Sequence, residues 1–279
     1  MNKRLINLIP MITMFPAILI GVVAMYVNNI PTYIYAQNIV CFIFLGLLYF
    51  FVQKIKFKIP KSNPLLGIVI SVLALILTFI NAGVEGVHRW ISVGPLQLYV
   101  SVIVMPIILI NLWNLLQKDK IFFACVSIIS VSILLTLQPD ASIMMAFCLS
   151  IIVLLWKKVN RFIYFIMIGF LLGLTAITWI FLDGLEPVLY VEGIFTLIAN
   201  MGMVSLIFGI LSIVLMILPF FMISTKKNQG LSVCFGLYFI AIFASNLFGN
   251  FPVPLLGYGI SPIVGYFISI VWSTKYRII

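Results

Sequence analysis

Along the chain, apolar stretches of about 17–22 residues recur between short polar breaks. A run of that length crosses the ~30 Å hydrocarbon layer of a bilayer as one helix, the form in which every backbone polar group is satisfied internally. Taken in order, the runs predict ten spans, near 5 to 27, 32 to 53, 63 to 82, 98 to 116, 121 to 137, 141 to 156, 162 to 182, 191 to 222, 231 to 248 and 254 to 273. Pro10, Pro16, Pro106, Pro219, Gly169, Gly173, Gly257 and Gly259 lie inside them. Neighbouring helices can satisfy the backbone groups such residues free, so they blur the ends of spans and not their existence. The first run follows Lys3 and Arg4 as a signal peptide would, but it carries two prolines and no small-residue cleavage site, and it reads as a retained first helix.

Composition agrees with this pattern. The 279 residues are 64% hydrophobic and 8% charged, where a soluble domain carries roughly a quarter charged residues. The expectation is an all-α, polytopic integral membrane protein forming a single transmembrane domain over 1–279. Charge then orients it. On the ten-span pattern, Lys3, Arg4, Lys54, Lys56, Lys58, Lys61, Lys118, Lys120, Lys157, Lys158, Arg161, Lys226, Lys227, Lys275 and Arg277 fall on one face, leaving Arg89 on the other. The positive-inside rule makes the first face cytoplasmic, with both termini. The net charge of +10 therefore reflects topology and contact with anionic headgroups. No soluble basic stripe with interleaved aromatics supports a nucleic-acid partner.

Five of the six acids lie on the other face. Glu85, Asp140, Asp183, Glu186 and Glu192 sit at or beyond outer helix ends, together with His88 and Arg89, and Asp119 is inside. Acids contribute little to orientation, so this distribution is independent information and puts any chemistry outside. Cys41, Cys125, Cys148 and Cys234 lie within spans without metal-ligand or redox spacing and read as packing residues. There is no P-loop, GxSxG, HExxH or Rossmann glycine pattern, and no metal-ligating set.

Three outer segments carry the remaining information. The first runs from Asn81 to Pro95 and contains Gly86-Val87-His88-Arg89-Trp90-Ile91 and Gly94-Pro95. An outside arginine beside an interfacial tryptophan suits a phosphate or pyrophosphate clamp, and equally the anchor of a re-entrant turn. The second is Leu137-Gln138-Pro139-Asp140, where Asp140 can cap the next helix or serve a site. The third, Phe251 to Pro262, breaks the chain repeatedly with Pro252, Pro254, Gly257 and Gly259. Broken backbone at membrane depth is tolerated where it lines a cavity or is buried in protein, and helix-end punctuation is the alternative.

In this order the three segments resemble the SEDS family (shape, elongation, division and sporulation proteins, the FtsW/RodA/SpoVE group). That family's Gly-Ala-Arg-Arg-Trp-Ile loop and Gly-Pro are similar to Gly86–Ile91 and Gly94-Pro95. Its Leu-Gln-Pro-Asp is matched in full by Leu137 to Asp140. Its late Pro-x-Pro-x-x-Ser-Tyr-Gly-Gly-Ser is similar to Pro252 to Ser261. The resemblance covers most of the chain.

The resemblance implies a peptidoglycan glycosyltransferase in the bacterial cell membrane, polymerising lipid II (undecaprenyl-pyrophosphate disaccharide) at the outer face with a class B penicillin-binding protein as partner, and serving cell shape, division or sporulation. It implies a catalytic carboxylate before the eighth span, for which Glu192 stands in, within Tyr190-Val191-Glu192-Gly193. It implies substrate contacts at Arg89, Trp90, His88, Asp140, Gln138, Tyr258 and Ser261. No cofactor is assigned, and a divalent cation at the pyrophosphate is left open. The chain departs from the pattern in the fourth span, where Tyr99-Val100-Ser101-Val102 and Met105 replace Gln-Pro-Ser-Glu and a lysine. Its outer loop before the eighth span is also short, and Gly193 replaces an aromatic. Two alternatives follow: a degenerate relative that binds lipid II or a synthase as a scaffold, and a lipid or small-solute transporter, which would need an ionisable path through the membrane.

Overall fold

A computed structural model describes residues 3–54, 63–80, 83–94, 96–222 and 229–275. Lys56, Lys58, Lys61, Lys226, Lys227 and Arg277, used above for orientation, and Pro95 lie outside the described residues. The protein is a polytopic membrane protein. Its helices are α1 (Lys3–Val27), α2 (Thr32–Lys54), α3 (Pro64–Leu77), α4 (Val100–Gln117), α5 (Ile121–Leu137), α6 (Ala141–Leu155), α7 (Arg161–Ile180), α8 (Ile194–Asn200), α9 (Met203–Met222), α10 (Gln229–Ser245) and α11 (Ile260–Lys275). Five of them, α1, α2, α4, α7 and α9, are long and apolar enough to cross a membrane, and α3, α5, α6 and α10 are shorter apolar helices.

The helix boundaries follow local chemistry. Asn63 accepts from the Leu65 N–H at 3.1 Å, with Pro64 in the first turn of α3; Asn160 accepts from the Ile163 N–H at 2.8 Å and starts α7. Both are side-chain caps that satisfy an otherwise orphaned donor. Three expected spans differ. The run from 191 to 222 is two helices, because Gly202 takes φ +104 between α8 and α9, a backbone setting that suits glycine. The fourth span begins at Val100 and not at 98, since the preceding residues pair as an antiparallel hairpin, β1 (Trp90–Val93) with β2 (Leu96–Tyr99). The last helix begins at Ile260, leaving 251–259 irregular.

The chain forms two compact units. The first contains α1, α2, α8, α9, α11 and the segments 186–193 and 243–259, and α1 packs against α2, α8, α9 and α11. Helices in lipid gain little from hydrophobic burial against one another, so close van der Waals fit and interhelical hydrogen bonds hold them. Tyr266 of α11 donates to the Met216 carbonyl of α9 at 2.9 Å, and Asn28 donates to the Leu197 carbonyl of α8 at 3.2 Å. Gly21 lets α1 meet the turn before α11: a Cβ there would lie 2.0 Å from the Leu256 carbonyl oxygen. Gly21→Ala is therefore expected to cost roughly 1–3 kcal/mol by overpacking, read as a lowered thermal midpoint in detergent. An unchanged midpoint would contradict this contact.

The second unit contains α3, the hairpin, α4 to α7 and residues 230–242 of α10. α4 is its centre and is mostly buried, whereas α7 exposes most of its length, which suits lipid. Ser150 of α6 and Cys234 of α10 exchange two hydrogen bonds, Oγ to the Cys234 carbonyl at 3.3 Å and Sγ to the Ser150 carbonyl at 3.2 Å. At one end of this unit the basic turns meet, Lys158 donating to Gln117 at 3.3 Å. At the other end the loops carrying Arg89, Asp140 and Asp183 converge.

Candidate functional site

The second unit assembles its site from three loops that are distant in sequence. The hairpin fixes the first. Trp90 is paired with Tyr99 across the strands, and the Val100 N–H closes the pair on the Arg89 carbonyl at 3.1 Å. Arg89 is thereby held at the base of the hairpin, where its side chain turns inward and is 3% exposed. Its guanidinium carbon lies 6.0 Å from the Trp90 ring centroid. Its Nη2 donates to the Pro139 carbonyl and to the Asp183 carboxylate, and its Nε lies 4.0 Å from Asp140 Oδ1.

Asp140 is the buried end of this cluster. It caps α6, accepting from the Ile143 N–H at 3.3 Å, and also accepts from the Tyr99 hydroxyl and the Ser101 hydroxyl, each at 2.8 Å. One carboxylate thus caps a helix and takes part in an ionic network. Burial works to lower the Arg89 pKa, but Asp140, Tyr99 and Asp183 outweigh it and the net shift is upward. Burial, then the charge of Asp140, lifts the Tyr99 phenol well above its ordinary range, with Arg89 working against them.

The neighbouring predicted residues frame the cluster. Gln138 is fully buried and donates through Nε2 to the Thr78 hydroxyl at 2.7 Å and the Leu75 carbonyl at 3.3 Å, tying the segment before α6 to α3. His88 stacks on Phe79, with ring centroids 5.2 Å apart. Three buried polar atoms here have no hydrogen-bond partner among the described residues: Arg89 Nε, His88 Nδ1 and Gln138 Oε1. Buried polar atoms are generally paired, so unpaired ones at a loop cluster mark where a ligand or water can be bound. Val102 and Met105, at the positions where the family pattern has an acid and a lysine, are buried and apolar.

Glu192, Tyr258 and Ser261 belong to the first unit. There, 190–193 and 251–259 are zipped together: the Tyr258 N–H donates to the Tyr190 carbonyl at 2.7 Å, and Asn246 Nδ2 donates to the Glu192 carbonyl at 3.0 Å and the Phe251 carbonyl at 2.6 Å. The Glu192 carboxylate accepts from the Val188 N–H at 2.9 Å, which fixes the side chain over its own turn. Tyr258 donates to Gln37 at 2.9 Å. Buried Asn38 of α2 staples the same loop, donating to the Gly257 carbonyl at 3.0 Å and accepting from the Gly259 N–H at 3.1 Å. Ser261 is buried in the first turn of α11.

Sequence reading missed Asp183 as the partner of Arg89, and it missed Asn38 and Asn246 as loop staples. Asp183 was visible only as one of five outer acids. Tyr99 departs from the family pattern and Ser101 matches it, and the hydroxyls of both bond to Asp140.

No protein-family model matches the chain. A protein of Mesostigma viride named as a peptidoglycan glycosyltransferase, FtsW, is 29% identical over 116 residues, 39% of this chain. The chain spans 28% of the length of that relative. The crystal structure of the rod shape determining protein RodA of Thermus thermophilus superposes with a TM-score of 0.71 at 17% identity, covering 96% of this chain and 95% of that one. A variant of the same protein with one aspartate replaced by alanine gives a TM-score of 0.70 at 17% identity.

Proposed function

We propose that this protein belongs to the SEDS family, whose motifs its outer loops resemble, and that it is a peptidoglycan glycosyltransferase acting on lipid II at the outer face of the cell membrane, with residues 1–279 working as one transmembrane domain. The observation that supports the reading is a RodA-like fold over almost the whole chain, beside the collinear outer motifs of the sequence. A class B penicillin-binding protein is the proposed partner.

In the proposed reaction Glu192 takes the proton from a sugar 4-hydroxyl as that oxygen bonds to the anomeric carbon of the second substrate. The bond from that carbon to the pyrophosphate oxygen breaks, and undecaprenyl pyrophosphate departs with the negative charge. Arg89 is assigned to the pyrophosphate, with Trp90, His88, Gln138 and Asp140 around it and Tyr258 and Ser261 as further substrate contacts. A second reading, a scaffold that binds lipid II without polymerising it, is favoured by the apolar Val102 and Met105.

Polymerisation of labelled lipid II by the purified chain, alone and with a class B penicillin-binding protein, separates the two. Glycan strands are the expected product. Binding of lipid II without product under every condition selects the scaffold.

A further inference from the structure

The two carboxylates that hold Arg89 are built very differently. Asp140 is 0% exposed and is fixed by Tyr99, Ser101 and the α6 N-terminus. Asp183 has a side chain 11% exposed, on a segment without regular structure after α7, flanked by Gly184 and by exposed Phe181 and Leu182. Apart from Arg89, its carboxylate takes one further bond among the described residues, from the Leu185 N–H at 3.3 Å within its own loop. One carboxylate is structural and the other is tethered mainly by the cation.

The cluster's charge points the same way. One guanidinium facing two carboxylates leaves a net charge of −1, which would repel an incoming diphosphate. A diphosphate oxygen and a carboxylate oxygen make the same charge-assisted bond to a guanidinium, so the ligand can take the place of Asp183 on Arg89.

We infer that Asp183 is a displaceable internal anion: it occupies the ligand position on Arg89 until the diphosphate of a lipid-linked substrate or product takes its place and releases loop 182–185. This deepens the assignment of Arg89 to pyrophosphate and rests on it. The latch lowers apparent affinity by the fraction of protein held closed, and it makes release of the loop a consequence of binding.

The test titrates undecaprenyl pyrophosphate into the full chain in nanodiscs, beside Asp183→Asn and Arg89→Ala. Asp183→Asn is expected to bind more tightly, by about tenfold, and Arg89→Ala more weakly. Unchanged or weaker binding by Asp183→Asn, with Arg89→Ala still weakened, overturns the latch and leaves the Arg89 assignment standing. Unaltered binding by both variants overturns the assignment and the latch together. Amide hydrogen exchange on the unmutated protein supplies a readout independent of the variants' folding. The Leu185 amide is expected to exchange faster once undecaprenyl pyrophosphate is bound, and slower or equal exchange overturns the proposal.

Discussion

Glu192→Gln is expected to give a folded protein that binds lipid II and makes glycan strands at least about a hundredfold more slowly. The glutamine oxygen can keep the 2.9 Å bond from the Val188 N–H, and the Asn246 bond to the residue 192 carbonyl involves only backbone on that side. The turn therefore survives, and what disappears is the capacity to take a proton, a contribution of typically 10²–10⁴ in rate. Glu192→Asp separates charge from position: it keeps the carboxylate and withdraws it by one methylene, and a misplacement of about 1 Å can itself cost about 10²-fold. Polymerisation and lipid II binding measured on both variants decide the matter. An undiminished rate in Glu192→Gln removes Glu192 from the reaction, and a variant that fails to fold reduces it to a structural cap.

The helical architecture was legible because lipid enforces it. A stretch of 17 or more apolar residues has few alternatives to a helix, and each of the ten runs contains a helix among the described residues. What hydropathy could not carry was any event inside an apolar run. Asn200-Met201-Gly202 sits between Ile198 and Val204 with no charge to mark it, so the break between α8 and α9 read as one long span. The hairpin is a different case, because a signal was present. Trp90-Ile-Ser-Val and Leu-Gln-Leu-Tyr flank Gly94-Pro95, two short β-prone runs on either side of a turn dipeptide, but in a chain full of long helices the first read as loop and the end of the second as the start of a span.

The site was half legible for a related reason. Motifs named Arg89, Asp140, Glu192 and Tyr258 because each stands within a recognisable local string. Asp183 stands in none. Its pairing with Arg89 joins residues 94 apart in sequence, and nothing local distinguishes it from Glu85 or Glu186, which are exposed. Asn38 is similar: an asparagine in an apolar span signals a buried hydrogen bond, but its partners at Gly257 and Gly259 lie 219 and 221 residues away. Tyr99 shows how comparison with a family pattern can mislead. Scored as a substitution it looks like a loss, yet its hydroxyl and that of Ser101, which matches the pattern, satisfy both oxygens of Asp140.

Asp140 is where that network can be weighed. If it only capped α6, Asp140→Ala would cost about 1 kcal/mol, the usual penalty for losing a helix cap. In the structure the same change also strands the Tyr99 and Ser101 hydroxyls and removes one of the two carboxylates facing Arg89. Each buried hydroxyl left without its acceptor costs about 1–3 kcal/mol, so Asp140→Ala is expected to approach the limit of folding, visible as a strongly lowered thermal midpoint in detergent. Asp140→Asn should be milder, at about 1–2 kcal/mol, because its amide oxygen still accepts from the Ile143 N–H and one hydroxyl while Asp183 continues to neutralise Arg89. The ordering of the two variants carries the argument. Equal losses of about 1 kcal/mol would make Asp140 a cap and nothing more, whereas a wide gap would establish that three outer loops of this unit are held by a single buried carboxylate.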